Sequence, residues 1–236
     1  MKLGPSRRLA AVAGLAVLLV VIVMFAGLSA VGRDGGSDYV SSYTPPPTEA
    51  ATQLPVAAFL GDSYTAGANA EGAENRYAVR VCRAMTFRCT INGQAETGYI
   101  SDGSGQRGEK RFVDRIFDLQ RDGLPSLIVV QGGMNDPGSG VELRIAAVGT
   151  YQQIRAMYPD SRVLVFGPVA APGLSLNDVI AKRDSLKTAA AEVGVEFVDP
   201  IGNGWFTDLS LFAKDGVNLN RRGHQELATR LTASLQ

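Results

Sequence analysis

From Pro55 to the C-terminus, short runs that do not alternate apolar with polar residues are separated by stretches of helical spacing, and few folds accommodate that pattern. Strands are expected at Val56–Leu60, Arg88–Ile91, Leu127–Val130, Arg162–Phe166 and Val195–Val198. Helices are expected at Glu74–Met85, Lys110–Gln120, Val141–Tyr158, Leu176–Val193 and Gly223–Ser234. Gly123 followed by Pro125, Pro159 directly after the Val141–Tyr158 helix, and Gly194 just past Val193 are the usual stop signals. Strands that are apolar at every position are buried on both faces, which requires helices above and below a parallel sheet. Right-handed crossovers make this an α/β fold, a three-layer α/β/α sandwich with a doubly wound five-stranded parallel sheet of flavodoxin-like type. Sites in such sheets form at the carboxyl ends of the strands.

The 236 residues are 45% hydrophobic and 19% charged, with 23 basic residues balanced by 23 acidic ones. Zero net charge argues against a nucleic-acid partner, which needs a net basic face. Ahead of the α/β region, Lys2, Arg7 and Arg8 precede a charge-free run from Leu9 to Gly32. As a helix this run spans roughly 36 Å, enough for a hydrocarbon core of about 30 Å. It is longer than the apolar core of a cleaved signal peptide, about 7–15 residues, and Leu28-Ser29-Ala30 is a poor cleavage site. Residues 9–32 are therefore read as one transmembrane signal anchor, with secretion after cleavage as the alternative. A buried core helix would not be so uniformly apolar. The basic residues before the span place residues 1–8 in the cytoplasm and the rest of the chain outside the membrane. Residues 33–54, rich in Gly, Ser, Thr and Pro and including Pro45-Pro46-Pro47, read as a flexible spacer before a domain at 55–236.

Cys82 and Cys89 are the only cysteines. In an oxidising exterior they are expected to form a disulfide that staples a helix end to the next strand; in a reducing compartment they would be free buried thiols. Two cysteines without a nearby histidine fall short of four ligands, so no metal is expected.

Three polar segments carry the candidate chemistry. Leu60-Gly61-Asp62-Ser63-Tyr64-Thr65-Ala66-Gly67 follows the first strand. A glycine at a sharp strand-to-helix turn would expose the Ser63 hydroxyl and aim the Ser63 amide at a developing oxyanion; an N-cap serine is the ordinary alternative. Gly133-Met134-Asn135-Asp136 follows the third strand, where the Asn135 carboxamide can donate to an oxyanion or close an Asx turn. Asp215-Gly216-Val217-Asn218 lies near the C-terminus and runs on to His224, the one histidine of the chain.

Together these segments resemble the SGNH/GDSL hydrolases, esterases and acyl-transfer enzymes built on a serine nucleophile. The resemblance spans residues 55–236. Gly98-Tyr99 and Gly204-Trp205 are similar to secreted actinobacterial members. The resemblance implies Ser63 as nucleophile, the Ser63 amide and Asn135 in the oxyanion hole, and Asp215 as the residue that orients the base. It also implies no cofactor, and substrates that are esters of lipids or acyl groups of glycans.

Two departures bear on activity. Where the family reads Asp-x-x-His, this chain has Asn218, whose amide can hydrogen-bond a hydroxyl but has no usable basicity. His224 stands about 9 Å further along if the segment is helical, so it reads as a helix-start or half-buried histidine rather than a replacement base. After the second strand the family supplies an oxyanion amide from a glycine. Gly98 is the favoured source here, with Gly93 and Glu96 open, and a carboxylate at Glu96 would oppose negative charge in the hole. Ser101–Arg111 reads as a solvated loop, or as a lid that could meet an anionic or sugar substrate through Arg107, Lys110 or Arg111. Two functions are thus expected. One is a membrane-anchored, outward-facing ester hydrolase or acyltransferase of reduced rate; the other is a non-catalytic domain binding an acylated glycan, lipid or protein partner in the former cleft.

Overall fold

A computed structural model describes residues 53–103 and 108–236. The expected membrane span at 9–32, the spacer as far as residue 52 and Arg107 of the expected lid lie outside the described residues. Among the described residues no helix is long and apolar enough to cross a membrane.

Strand β1, Val56–Gly61, is buried at all six positions. Its successive side chains serve two cores: Ala57 and Phe59 join one apolar cluster, Ala58 and Leu60 the other. That division is the reason the run is apolar throughout. Strands β2 (Arg88–Gly93), β3 (Pro125–Gln131), β4 (Arg162–Phe166) and β5 (Glu196–Val198) complete one parallel sheet in the order β2-β1-β3-β4-β5. The expected doubly wound sheet is therefore present, and its strand order reverses between β1 and β3, where such folds open a crevice.

The helices are α1 (Ser63–Ala66), α2 (Tyr77–Met85), α3 (Val141–Met157), α4 (Leu176–Val193) and α5 (Arg221–Leu235). Tyr77 and Val81 of α2 and Leu227 and Leu231 of α5 cover one face. Leu143 and Ile154 of α3 and Leu186 of α4 cover the other, with Ile116 and Leu119 of a 3₁₀ stretch at Val113–Gln120. Each fully buried leucine, isoleucine or phenylalanine contributes about 1.5–3 kcal/mol.

Two helices differ from expectation. The stretch expected as one helix over Glu74–Met85 is a 3₁₀ turn at Ala73–Asn75 followed by α2, because Arg76 between them is extended, with ψ 137°. The Asn75 carbonyl is engaged by the Arg80 guanidinium at 3.1 Å. The helix expected from Lys110 starts only at Val113. Before it the backbone bonds outward: the Lys110 N–H donates to Gln94 Oε1, the Lys110 carbonyl accepts from Arg115 Nε, and the Phe112 N–H donates to the Gly98 carbonyl.

Cys82 and Cys89 form a disulfide, with Cα atoms 6.0 Å apart. It joins α2 to β2 as expected, and its short loop limits the chain-entropy contribution to about 2–3 kcal/mol.

Candidate active site

The Ser63 turn is built by its neighbours. A side chain at Gly61 would run into Thr65 Oγ1 and the Gln131 carbonyl, so only glycine lets β1 and β3 close together beneath the turn. Asp62 caps α1, its Oδ1 accepting the Tyr64 N–H at 3.0 Å. Gly67, at φ 84°, ends the helix after a single turn. Ser63 is therefore the first residue of α1, half-buried, at the carboxyl end of β1. The Asx cap falls to Asp62, so the N-cap alternative for Ser63 is not the one realised.

Beneath the turn lies a buried polar network that the sequence did not announce. Thr65 Oγ1 donates to Gln131 Oε1 at 2.9 Å and shares a 2.8 Å hydrogen bond with the Tyr77 hydroxyl. Arg115, 1% exposed, donates to the carbonyls of Gly61, Asn92 and Lys110, to Asn92 Oδ1 and to Thr97 Oγ1, at 2.8–3.1 Å. Its guanidinium thus ties the end of β1 to the end of β2 and to the loop beyond. Burial brings its pKa down to about 10.

The loop after β2 is organised by Asp136. This carboxylate, 2% exposed, accepts the N–H groups of Tyr99, Ile100 and Ser101 at 3.2, 2.6 and 3.0 Å. Gly98 has to be glycine because any side chain there would occupy the space of the Asp136 carboxylate. Asn135 Nδ2 donates to the Thr97 carbonyl at 3.0 Å, and its second hydrogen meets only Asp62 Oδ2, at a long 3.5 Å. One donor of Asn135 is therefore weakly engaged and open to a ligand.

Of the three residues considered for the second oxyanion amide, Gly98 has its N–H committed to the Ser101 carbonyl at 2.9 Å. In this conformation the favoured residue is thus not the free donor. Gly93 pairs in register with Gly61 and packs against the backbone of Thr65 and Ala66. Glu96 takes φ 64°, a conformation that glycine adopts without cost. Its carbonyl accepts from Ser101 Oγ, and its side chain is exposed.

The C-terminal segment is tied to the serine turn through its immediate neighbours. The Tyr64 hydroxyl donates to the Val217 carbonyl at 2.6 Å, and Asn69 hydrogen-bonds Asp215. Asp215 Oδ1 accepts the N–H groups of Val217 and Asn218, and Oδ2 accepts Asn218 Nδ2, each at 2.8 Å. The Asn218 amide, with the backbone donors, holds Asp215 below its ordinary carboxylate range. Asn218 Nδ2 therefore makes the donation that an imidazole N–H would make to this aspartate. Asn218 Oδ1 is buried and has no hydrogen-bond partner among the described residues.

His224 is fully buried, not half-buried. Its Nε2 is 2.9 Å from the Ala68 carbonyl, which can only accept, so Nε2 carries the proton. Its ring stacks on Tyr77 at 6.3 Å, and Nδ1 is buried without a partner among the described residues. Burial lowers its pKa. His224 fastens α5 beneath the α1 loop. Asn218 is non-basic, Asp215 is held anionic by hydrogen bonds and His224 is sequestered, so this segment offers no ordinary acceptor for a serine proton. Among the described residues no three of His, Cys, Asp and Glu are grouped to hold a metal ion.

Asp62 gives the site a pH signature. Burial, with a smaller push from Asp136, raises its carboxyl to about 7 against the Tyr64, Gln131 and Arg115 interactions that lower it. Between the unfolded value of about 4 and about 7 the native state holds this proton more tightly than the unfolded chain, so the contribution is present at low pH and is lost as pH rises through 7. His224 acts in the opposite sense below about 6.5, where the unfolded chain takes up a proton that the native ring refuses. Denaturant unfolding of wild type and Asp62→Asn isolates the first effect. The stability gap between them is expected to move by about 2–3 kcal/mol between pH 5 and pH 8, wild type faring relatively better at pH 5. A gap independent of pH would show that Asp62 titrates normally.

The model of the GDSL-like lipase/acylhydrolase family matches residues 59–226, more than half of the chain. A GDSL lipase of Mycobacterium tuberculosis is 28% identical over 185 residues, covering 74% of this chain and 78% of that protein. A carbohydrate acetylesterase from Sinorhizobium meliloti superposes with a TM-score of 0.63 at 17% identity, over 77% of this chain and 98% of that one. A family two carbohydrate esterase from Clostridium thermocellum, in complex with cellohexaose, gives 0.64 at 19% identity, over 82% of this chain and 66% of that one. With segments 61–64, 133–136 and 215–218 placed around the crevice of a doubly wound sheet, this chain belongs to the GDSL-like lipase/acylhydrolase family.

Proposed function

We propose that the chain is a membrane-anchored, extracytoplasmic serine hydrolase of carboxylic esters or acyl groups on glycans or lipids, with turnover slowed by Asn218. In this reading Ser63 is the nucleophile. Its own amide, the weakly engaged Asn135 Nδ2 hydrogen and the Glu96 amide receive the oxyanion, and Asp215 holds the group that should accept the proton. The observation that carries it is the Asp215–Asn218 pair. The aspartate keeps a side-chain hydrogen bond from the residue three positions on, the spacing of the family's Asp-x-x-His, and asparagine there lacks the basic atom of a histidine. The partnerless Asn218 Oδ1 favours a second reading, in which the cleft binds an acylated ligand or protein partner without cleaving it. The N-terminal run 9–32 supports the anchor in either case.

A fluorophosphonate probe on the full-length chain in detergent tests the first reading. Slow labelling is expected, over hours, with none in Ser63→Ala. A chain that stays unlabelled while correctly folded would leave binding as the function.

A further inference from the structure

One hydrogen of Asn135 has two acceptors to serve. The first Nδ2 hydrogen is fixed on the Thr97 carbonyl at 3.0 Å. The second faces Asp62 Oδ2 at 3.5 Å, and it is also the hydrogen that an oxyanion beside Ser63 would take. We propose that Asp62 is a positioning residue of the oxyanion hole: as a carboxylate it retains this hydrogen, and as a neutral carboxyl it yields it to substrate. The inference rests on the serine-hydrolase reading above and adds to it a control exerted by the residue next to the nucleophile.

Three observations carry it. The first is the place of the carboxyl. Asp62 is fully buried, and its Oδ1 accepts the Tyr64 N–H at 3.0 Å. That cap fixes the side chain with Oδ2 toward Asn135. A side chain at Gly132 would come within 3.5 Å of Oδ2 and 2.5 Å of the Phe112 ring, so backbone and an aromatic edge close that side.

The second is the set of groups around it. Asp136 and Arg115 act on the Asp62 carboxyl with opposite sign, and the Gln131 side chain hydrogen-bonds it. Gln131 Oε1 already accepts from Thr65, so its amide nitrogen is the donor to Asp62. Tyr64, Tyr77 and Tyr99 also feel this carboxyl, and burial keeps their three hydroxyls protonated. Burial raises Asp62 itself to about 7, so its charge changes near neutrality.

The third is the chemistry of the competition. A carboxylate accepts an amide hydrogen more strongly than a neutral carboxyl does. It also puts a negative charge close to the place where another must develop, in a site that water screens poorly. Both effects have the same sign. The hole is competent while Asp62 holds its proton and weakens as pH rises through about 7. In Asp62→Asn the side-chain oxygen can still cap α1, and the amide nitrogen cannot accept from Asn135 at any pH.

Fluorophosphonate labelling of Ser63 in the folded full-length chain, wild type and Asp62→Asn, at pH 5 and pH 8 tests this. The ratio of the two rates cancels the pH dependence of the probe and of whatever group accepts the serine proton. A carboxyl with a midpoint of about 7 is neutral in only about one tenth of molecules at pH 8, so the ratio of variant to wild type is expected to rise about five- to tenfold from pH 5 to pH 8. An unchanged ratio, which a purely structural cap would give, overturns the proposal. Nuclear magnetic resonance of the wild-type chain, isotope-labelled at asparagine, gives a readout that needs no catalysis. The Asn135 side-chain amide signals, assigned by their loss in Asn135→Ser, are expected to shift with a midpoint near 7. Signals indifferent to pH overturn the proposal whether or not Ser63 labels. Signals that shift in a chain whose Ser63 never labels remove the hydrolase reading and keep the hold of Asp62 on Asn135.

Discussion

Asn218→His is expected to raise hydrolysis of p-nitrophenyl acetate by about 100-fold or more, and Ser63→Ala in the same background to remove the gain. General acid–base catalysis contributes about 10²–10⁴ in rate, and loss of a triad member elsewhere costs about 10⁴–10⁶. The surroundings are already set for an imidazole. Asp215 Oδ2 takes a hydrogen bond from the Asn218 side chain at 2.8 Å and would accept the imidazole N–H in its place. Its carboxylate is held anionic, as stabilising an imidazolium requires. The Tyr64–Val217 hydrogen bond keeps the segment against the serine turn. The substitution also replaces an amide oxygen that has no partner among the described residues, so no hydrogen bond seen there is lost with it. A folded Asn218→His chain that labels at Ser63 yet gains nothing would mean that the segment is not within proton-transfer reach of the serine. Wild type that already turns over through Ser63, with His224→Phe inactive, would mean that the ring buried under Ala68 moves during the reaction.

The strands and the two cores were legible in the sequence because β1 and β3 meet both faces of the sheet. A strand buried twice has no polar positions to confuse its pattern. The turn at Ser63 was legible for a related reason: it needs particular residues at particular places, Gly61 for the close approach of β3 and Asp62 for the cap. The breaks at Arg76 and ahead of Val113 were not. There the decisive partners of the backbone groups lie outside the local helical pattern, on the side chains of Arg80, Gln94 and Arg115 and on the Gly98 carbonyl. Gly98 illustrates the same limit within the site. Its identity suggested an amide for the oxyanion hole, but it is glycine to make room for a carboxylate 38 positions away, and its N–H closes a local turn. Glu96, which the sequence offered only as a poor alternative, is the one with a backbone shaped like a glycine's. Spacing identified which segments meet. It could not say which backbone groups remain unpaired once they have met.

Arg115 was the largest omission, and its removal is expected to be the most costly single change to the fold. Its one sequence signal was a charge on the apolar face of the Phe112, Ile116, Leu119 pattern, where a solvated arginine does not belong. In the structure it is nearly inaccessible and donates to five acceptors, none of them a carboxylate, with its guanidinium 5.3 Å from the centre of the Phe112 ring. Burying a cation costs several kcal/mol, and the acceptors offset it only while all of them are engaged. Arg115→Ala removes a donor from the Gly61 carbonyl, which keeps only the Gln94 N–H, and takes the guanidinium's donors from the Asn92 carbonyl and side chain and from the Thr97 hydroxyl, hydrogen bonds to a charged group being worth about 1.5–3 kcal/mol each. Denaturant unfolding is expected to show a loss of about 3–5 kcal/mol for Arg115→Ala, from several hydrogen bonds to a charged group lost at once. Arg115→Lys should be intermediate, because an ammonium keeps the charge but cannot span three segments with a planar fork. The Gly61 carbonyl lies two residues before Ser63, and Thr97 carries the carbonyl that positions Asn135. Ser63 labelling should therefore fall in Arg115→Lys even where that variant remains folded. A stability within about 1 kcal/mol of wild type for Arg115→Ala, the range of an ordinary surface substitution, would show that water replaces the guanidinium and that the network is not what holds the two strand ends together.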